Sequence, residues 1–223
     1  MKPLNKVKIK WSPEFAYALG LLATDGNLSP DGRHFDFTSQ DKEQLLNFMK
    51  CFGIKVKIGY KTSGYTGEKS SHIQFGDVVL YKFLLKIGFT PAKTKTISSL
   101  KIPGRYFFDF LRGHLDGDGC FYSYWDKRWR SSFMFYTVFL SASKNHINWI
   151  RRELLSRLGI KGHINANISK SVIELKYAKA ESLKLLPKIY YDSGVVCLSR
   201  KREKIRKALK INKKQSSIYA RVL

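Results

Sequence analysis

The spacing of apolar and polar positions along the chain changes period several times, and does so twice in the same order. Residues 14–25 are nearly all apolar at helical spacing, with Ala16, Gly20 and Ala23 on one stripe, and they close on Asp25-Gly26. Ser12-Pro13-Glu14 ahead of them supplies an N-cap, a proline at the first helical position and an acid in the first turn. Residues 33–38 then alternate with period two, as a half-buried strand does. Over 41–52 the helical period returns, with Leu45, Phe48, Met49 and Phe52 on one face and Gly53 ending the helix. Ile54-Lys55-Val56-Lys57-Ile58 alternates again, a polar tip over 62–67 turns a hairpin, and His72-Ile73-Gln74-Phe75 returns. A helix over 78–87 closes the series at Gly88, and residues 91–103 link it to a second one.

The second series opens at Pro103 and runs through Leu111-Arg112-Gly113-His114-Leu115-Asp116-Gly117-Asp118-Gly119. Next come a strand over 133–141, a helix over 145–158 ending at Gly159, strands over 160–168 and 172–177, and a helix over 180–189. Cys51-Phe52-Gly53-Ile54-Lys55 and Arg157-Leu158-Gly159-Ile160-Lys161 occupy equivalent places. No linker rich in Gly, Ser or Pro divides the halves, so 1–100 and 101–223 are expected to form one compact pseudo-twofold unit.

The two Asp-Gly endings carry the candidate chemistry. In both, a glycine (Gly20, Gly113) lies six residues before the closing one, and Asp25 and Asp118 stand 93 residues apart. Gly26 and Gly119 are expected to take the left-handed conformation that caps many helices. Small residues on a helical stripe let two backbones approach, so the two helices are expected to pack together and set Asp25 beside Asp118. That placement is costly, because each carboxylate faces the negative end of a helix dipole and the other carboxylate. A hard divalent cation, which prefers carboxylate, carbonyl and water oxygens, relieves it. A single Asp-Gly is an ordinary turn; two in one context are a pattern. An EF-hand does not account for it, since Cys120 and Lys127 stand where ligands are required.

These stretches resemble the paired motifs of the LAGLIDADG homing endonucleases, in the single-chain form with two copies. The first copy departs at its sixth position, where Ala23 replaces the usual Asp, and the second departs with Arg112 and His114. The acid at the eighth position is present in both, as Asp25 and Asp118. The resemblance implies an α+β fold of two αββαββα halves, each with an antiparallel sheet, packed through the two motif helices. It implies a site-specific endonuclease that makes a double-strand break in a long DNA target, with Asp25 and Asp118 binding two or more Mg²⁺ ions. It also implies a catalytic lysine near the acids; by place in the repeat this is Lys93 in the first half, with Lys95 its rival, and Lys201 in the second. An intron RNA maturase, or a DNA-binding protein without catalysis, are the alternatives on the same fold.

Composition agrees. The chain of 223 residues has 41 Lys+Arg against 17 Asp+Glu, a net charge of +24, with 43% hydrophobic residues. That apolar fraction suits a buried core rather than a disordered basic tail, and the charge calls for a polyanionic partner. Duplex DNA is the expected partner; no membrane and no obligatory protein partner are expected, and the chain should act as a monomer. No apolar run approaches the ~20 residues of a membrane span, residues 1–10 lack the apolar core of a signal peptide, and three scattered cysteines read as reduced thiols of an intracellular protein.

Strand parity nominates DNA contacts. Lys55 and Lys57 oppose Val56 and Ile58; His72 and Gln74 oppose Ile73 and Phe75; Lys161, His163, Asn165 and Asn167 oppose Ile160, Ile164 and Ile168; Glu174 and Lys176 oppose Ile173 and Leu175. Such a face suits a β-ribbon in a major groove, though a solvated sheet face looks the same. The stretch Trp125-Asp126-Lys127-Arg128-Trp129-Arg130 is either a phosphate-packing segment or a buried hairpin tip. The dense basic cluster 200–207 reads as a solvated helix that meets backbone phosphate.

Overall fold

Helix α1 (Pro13–Asp25) starts as its sequence dictates, with Ser12 Oγ accepting from the Phe15 amide at 3.1 Å and Pro13 at the first turn. In the computed structural model, which describes residues 5–62, 67, 69–129, 132–166 and 172–219, it leads into β1 (Gly26–Leu28), β2 (His34–Ser39) and α2 (Lys42–Phe52). Then come β3 (Ile58–Thr62), β4 (Lys69–Gly76), α3 (Val78–Ile87) and the short α4 (Lys93–Thr96). After a 3₁₀ turn over Gly104–Tyr106, the second series runs α5 (Phe107–Asp116), β5 (Cys120–Trp125), β6 (Phe133–Ser141) and α6 (Lys144–Leu158). It closes with β7 (His163–Ala166), β8 (Ile173–Tyr177), α7 (Lys179–Ile189) and α8 (Ser199–Tyr219).

Each series folds one antiparallel four-stranded sheet, and the two have the same order, β1-β2-β4-β3 and β5-β6-β8-β7. Period-two patterning decides which face is buried: Phe35 and Phe37 of β2 and Phe133, Phe135 and Phe139 of β6 turn toward the helices. Phe37 stacks on Phe48 of α2 at 4.3 Å between ring centroids. Each such ring, fully removed from water, contributes about 1.5–3 kcal/mol. The buried side chains form one contiguous cluster running through both series, with α1 and α5 at its centre. Among the described residues, no helix is long and apolar enough to cross a membrane.

Three expected helix ends hold: Gly53, Gly88 and Gly159 take positive φ of 65°, 109° and 64° beyond α2, α3 and α6. Gly26 and Gly119 do not. Gly26 has φ −88° and ψ 159° and begins β1, and Gly119 is not among the positive-φ residues. Their glycines answer to crowding instead. A Cβ on Gly26 would meet the Leu22 side chain at 2.3 Å, and one on Gly119 would meet Leu115 at 2.6 Å, because the chain folds straight back from each motif helix into a strand. A second difference is that residues 54–57 form no strand. Beyond the Ile58–Ile73 pair, β4 continues against β2 instead, so Lys55 and Lys57 precede the ladder although the in–out alternation of Ile54, Val56 and Ile58 persists.

Candidate active site

The site is built on the crossing of α1 and α5. A Cβ on Gly20 would lie 2.1 Å from the Phe110 carbonyl oxygen, and one on Gly113 would lie 2.0 Å from that of Tyr17. The contact is reciprocal, and only glycine at both places permits it. This brings the two motif ends together. Asp25 is the last residue of α1, while Asp118 lies in the turn just beyond α5. A Cβ on Gly117 would approach Asp25 Oδ2 to 2.7 Å, so the first acid lies against the second motif's turn.

Electrostatics reports the same crowding. Burial, with the Asp118 charge adding to it, pushes Asp25 up to about 6 from an ordinary 3.8. Burial raises Asp118 as well. Asp25 Oδ2 accepts from Gln44 Nε2 at 2.7 Å and from Thr24 Oγ1 at 3.1 Å, which partly offsets its shift.

Two lysines cap the two helix ends in parallel fashion. Lys93, 4% exposed, donates through Nζ to the carbonyls of Ala23 and Thr24, both at 2.9 Å. Lys201 of α8 donates to those of Leu115, Asp116, Gly117 and Gly119 at 2.7, 2.8, 3.0 and 2.6 Å. Cations here complement the helix dipoles. Burial lowers Lys93 to about 8 against the pull of Asp118 and Asp25, and burial lowers Lys201 too. Lys95, the rival of Lys93, is exposed.

Two cavities flank this centre and share Gly117 and Arg200. One, of about 330 Å³, is lined by Asp25, Gln44 and Ser39; the other, of about 540 Å³, by Cys120, Lys201 and Lys204. Arg200 Nε is tied to Asp41 Oδ2 at 2.8 Å, which anchors the start of α8 to the start of α2. Among the described residues, no three His, Cys, Asp or Glu side chains gather as a metal cluster. A cation at Asp25 and Asp118 would therefore draw its remaining ligands from carbonyls, water or a bound phosphate.

The sheet residues separate into three groups. His72 and Gln74 share the outer face of the first sheet with their partners Thr38 and Asp36. Asp36 Oδ2 also takes Lys61 at 2.5 Å and faces His72 Nδ1 at 3.5 Å. On the second sheet His163 pairs with Lys176 and Asn165 with Glu174, so these four share one face as parity requires. Lys55, Lys57 and Lys161 are exposed but stand outside the strands, the last with its amide donating to Glu181. Asn167 lies outside the described residues. Trp125 and Trp129, at 49% and 69% exposure, are not a buried hairpin tip, because the turn over 126–129 projects beyond the core.

No protein-family model and no curated protein matches the chain. Solved structures do. The I-LtrWI LAGLIDADG homing endonuclease bound to target DNA is similar at TM-score 0.60 and 11% identity, over 92% of this chain and 91% of that one. Meganuclease I-SmaMI bound to uncleaveable DNA gives 0.57 at 14% identity, over 93% and 92%. The N-terminal LAGLIDADG domain of DUF199/WhiA gives 0.55 at 19% identity, over 89% and 88%. The chain has the LAGLIDADG fold.

Within the LAGLIDADG fold the two motifs are unequal at their sixth position, a difference whose structural consequence sequence reasoning missed. Ala23 packs in the core, whereas Asp116 is wholly buried and accepts from Tyr17 at 2.9 Å, Tyr190 at 3.2 Å and the Leu198 amide at 2.6 Å. Burial raises its pKa to about 6. Since Leu198 stands three residues before Lys201, Asp116 fixes the segment that delivers the lysine. The available signal was an acid on the buried stripe of α5. Gln44 and Arg200 were also missed, and nothing local marks them.

Proposed function

We propose that the chain is a site-specific DNA endonuclease that cuts both strands of a duplex target, with Asp25 and Asp118 binding Mg²⁺. One observation carries the reading: half-buried Asp25 and exposed Asp118, whose charge acts on Asp25, lie where the motif helices meet, each helix end capped by a lysine. Hard oxygen donors of raised pKa, each facing a negative helix end, suit a small divalent cation. When bound, Mg²⁺ neutralises charge on a scissile phosphate and makes a coordinated water more acidic.

The chain's own groups have distinct tasks. Asp25 and Asp118 would hold the cation, and Gln44 holds Asp25 in one orientation. Lys93 and Lys201 would add positive charge beside the phosphate where charge develops. Arg200, lining both cavities, would bind a phosphate at their junction. Residues 1–100 and 101–223 would each address half of the target, the outer sheet faces entering the major groove with His72, Gln74, His163, Asn165, Glu174 and Lys176. The charge of +24 would drive nonspecific attraction to the phosphates. A monomer suffices, because the single chain supplies both acids.

The second reading on the same fold, which the DUF199/WhiA LAGLIDADG domain shares, is a DNA-binding protein without cleavage. The intact acid pair favours the nuclease. Incubation with a randomised duplex library and Mg²⁺, followed by sequencing of new ends, tests it: cut ends should share a motif. Selective binding without new ends would overturn the nuclease in favour of the binding protein.

A further inference from the structure

The two outer sheet faces differ in chemistry. The first carries polar groups at its centre, with Asp36, Thr38, His72 and Gln74 on neighbouring strands and Lys61 bonded to Asp36. On the second, the β5–β6 side is aromatic. Tyr122 and Tyr136 stand directly opposite on β5 and β6 and stack at 5.2 Å with 22° between their planes, and Tyr124 stacks on Tyr136 at 6.2 Å and 11°. Met134, opposite Tyr124, continues the same face. None of the four belongs to the core cluster, and Tyr124 is 43% exposed.

Ring stacking and one cation hold this platform together. The Lys176 ammonium lies 5.7 and 5.6 Å from the Tyr122 and Tyr136 ring centroids, a cation–π arrangement. The ring edges and the Met134 thioether offer apolar surface to an apolar partner. In a major groove the apolar group on a base edge is the thymine 5-methyl.

We propose that Tyr122, Tyr124, Met134 and Tyr136 read thymine methyl groups in one half of the target, while the first sheet reads the other half by hydrogen bonds. The inference rests on the DNA-recognition reading above. It adds methyl reading to the polar contacts of His163, Asn165 and Glu174 in that half, and the Lys176 ammonium, lying over the tyrosine rings, also helps to set them.

The test is selection of bound sequences from two randomised duplex libraries, one made with dT and one with dU, using the full chain with Ca²⁺ in place of Mg²⁺. Burying one methyl is worth ~0.8 kcal/mol, about fourfold in affinity per contact. The dT library should yield a two-part motif with T·A-rich positions in one part, and the dU library should lose those T·A positions alone. Tyr122→Ser should weaken the same part, and Gln74→Ala the other. A two-part motif recovered unchanged from the dU library would overturn the inference and leave DNA recognition standing. No enrichment of any duplex would overturn both.

Discussion

The Tyr17 hydroxyl on the first motif helix donates to Asp116 Oδ2 on the second at 2.9 Å, in the middle of the apolar crossing. A carboxylate in that setting needs its donors, and the donors need it. Asp116→Ala strands the Tyr17 and Tyr190 hydroxyls and the Leu198 amide, and should lower unfolding free energy by about 3 kcal/mol or more, since each of the three orphans costs about 1–3 kcal/mol. Tyr17→Phe removes one donor and should cost about 1 kcal/mol. Urea unfolding checks both; an Asp116→Ala protein as stable as its parent would contradict the hub.

Replacing Gly20 or Gly113 by alanine forces a Cβ to about 2 Å from a backbone carbonyl oxygen. The helices must separate, and overpacking by even one methyl commonly costs about 1–3 kcal/mol. Each variant should melt well below the parent and lose cleavage with it, as read by circular dichroism and an end-labelled duplex.

Asp25→Asn and Asp118→Asn should each abolish double-strand cleavage and leave DNA affinity within a few fold, because a metal ligand goes while the basic surface stays. Gel shift and cleavage on one selected duplex separate the two effects. Unimpaired cutting by either variant would remove the metal assignment.

The same acids give a pH dependence of stability. With a folded-state pKa of about 6 against an ordinary 3.8, ionised Asp25 subtracts stability above about pH 6, and that cost fades as pH falls toward 3.8. In chelator near pH 7.5, Asp25→Asn should therefore melt a few degrees above the parent, and near pH 4 the gain should vanish. Mg²⁺ should stabilise the parent more than the variant. A variant that melts lower at pH 7.5 would show that Asp25 is adequately paired.

Lys93, held near 8 by burial, should impose an alkaline limit on activity as it loses its proton. Lys93→Met and Lys201→Met should each reduce cleavage about 10²-fold or more, in line with the loss of one preorganised charge-stabilising group. Affinity for the duplex should change little, and a pH–rate profile of the Lys201 variant should keep the limit.

Motif helices, the glycines that end α2, α3 and α6, and the outward parity of His72, Gln74, His163 and Lys176 were legible in the sequence. Each depends on residues a few positions apart, through helical period, strand alternation or cap chemistry, and the duplicated pattern made the pairing of Asp25 with Asp118 readable too. Gly26 and Gly119 were misread, because their glycines answer to neighbouring atoms rather than to their own φ. Lys93 over Lys95, Gln44 on Asp25, the Asp116 hub and the tyrosine platform were decided by tertiary structure alone. Their partners lie far along the chain or on β5, which carries no clear alternation. Which side chain meets which carbonyl depends on how α4, α7 and α8 dock around the crossed helices, and sequence spacing does not encode that docking.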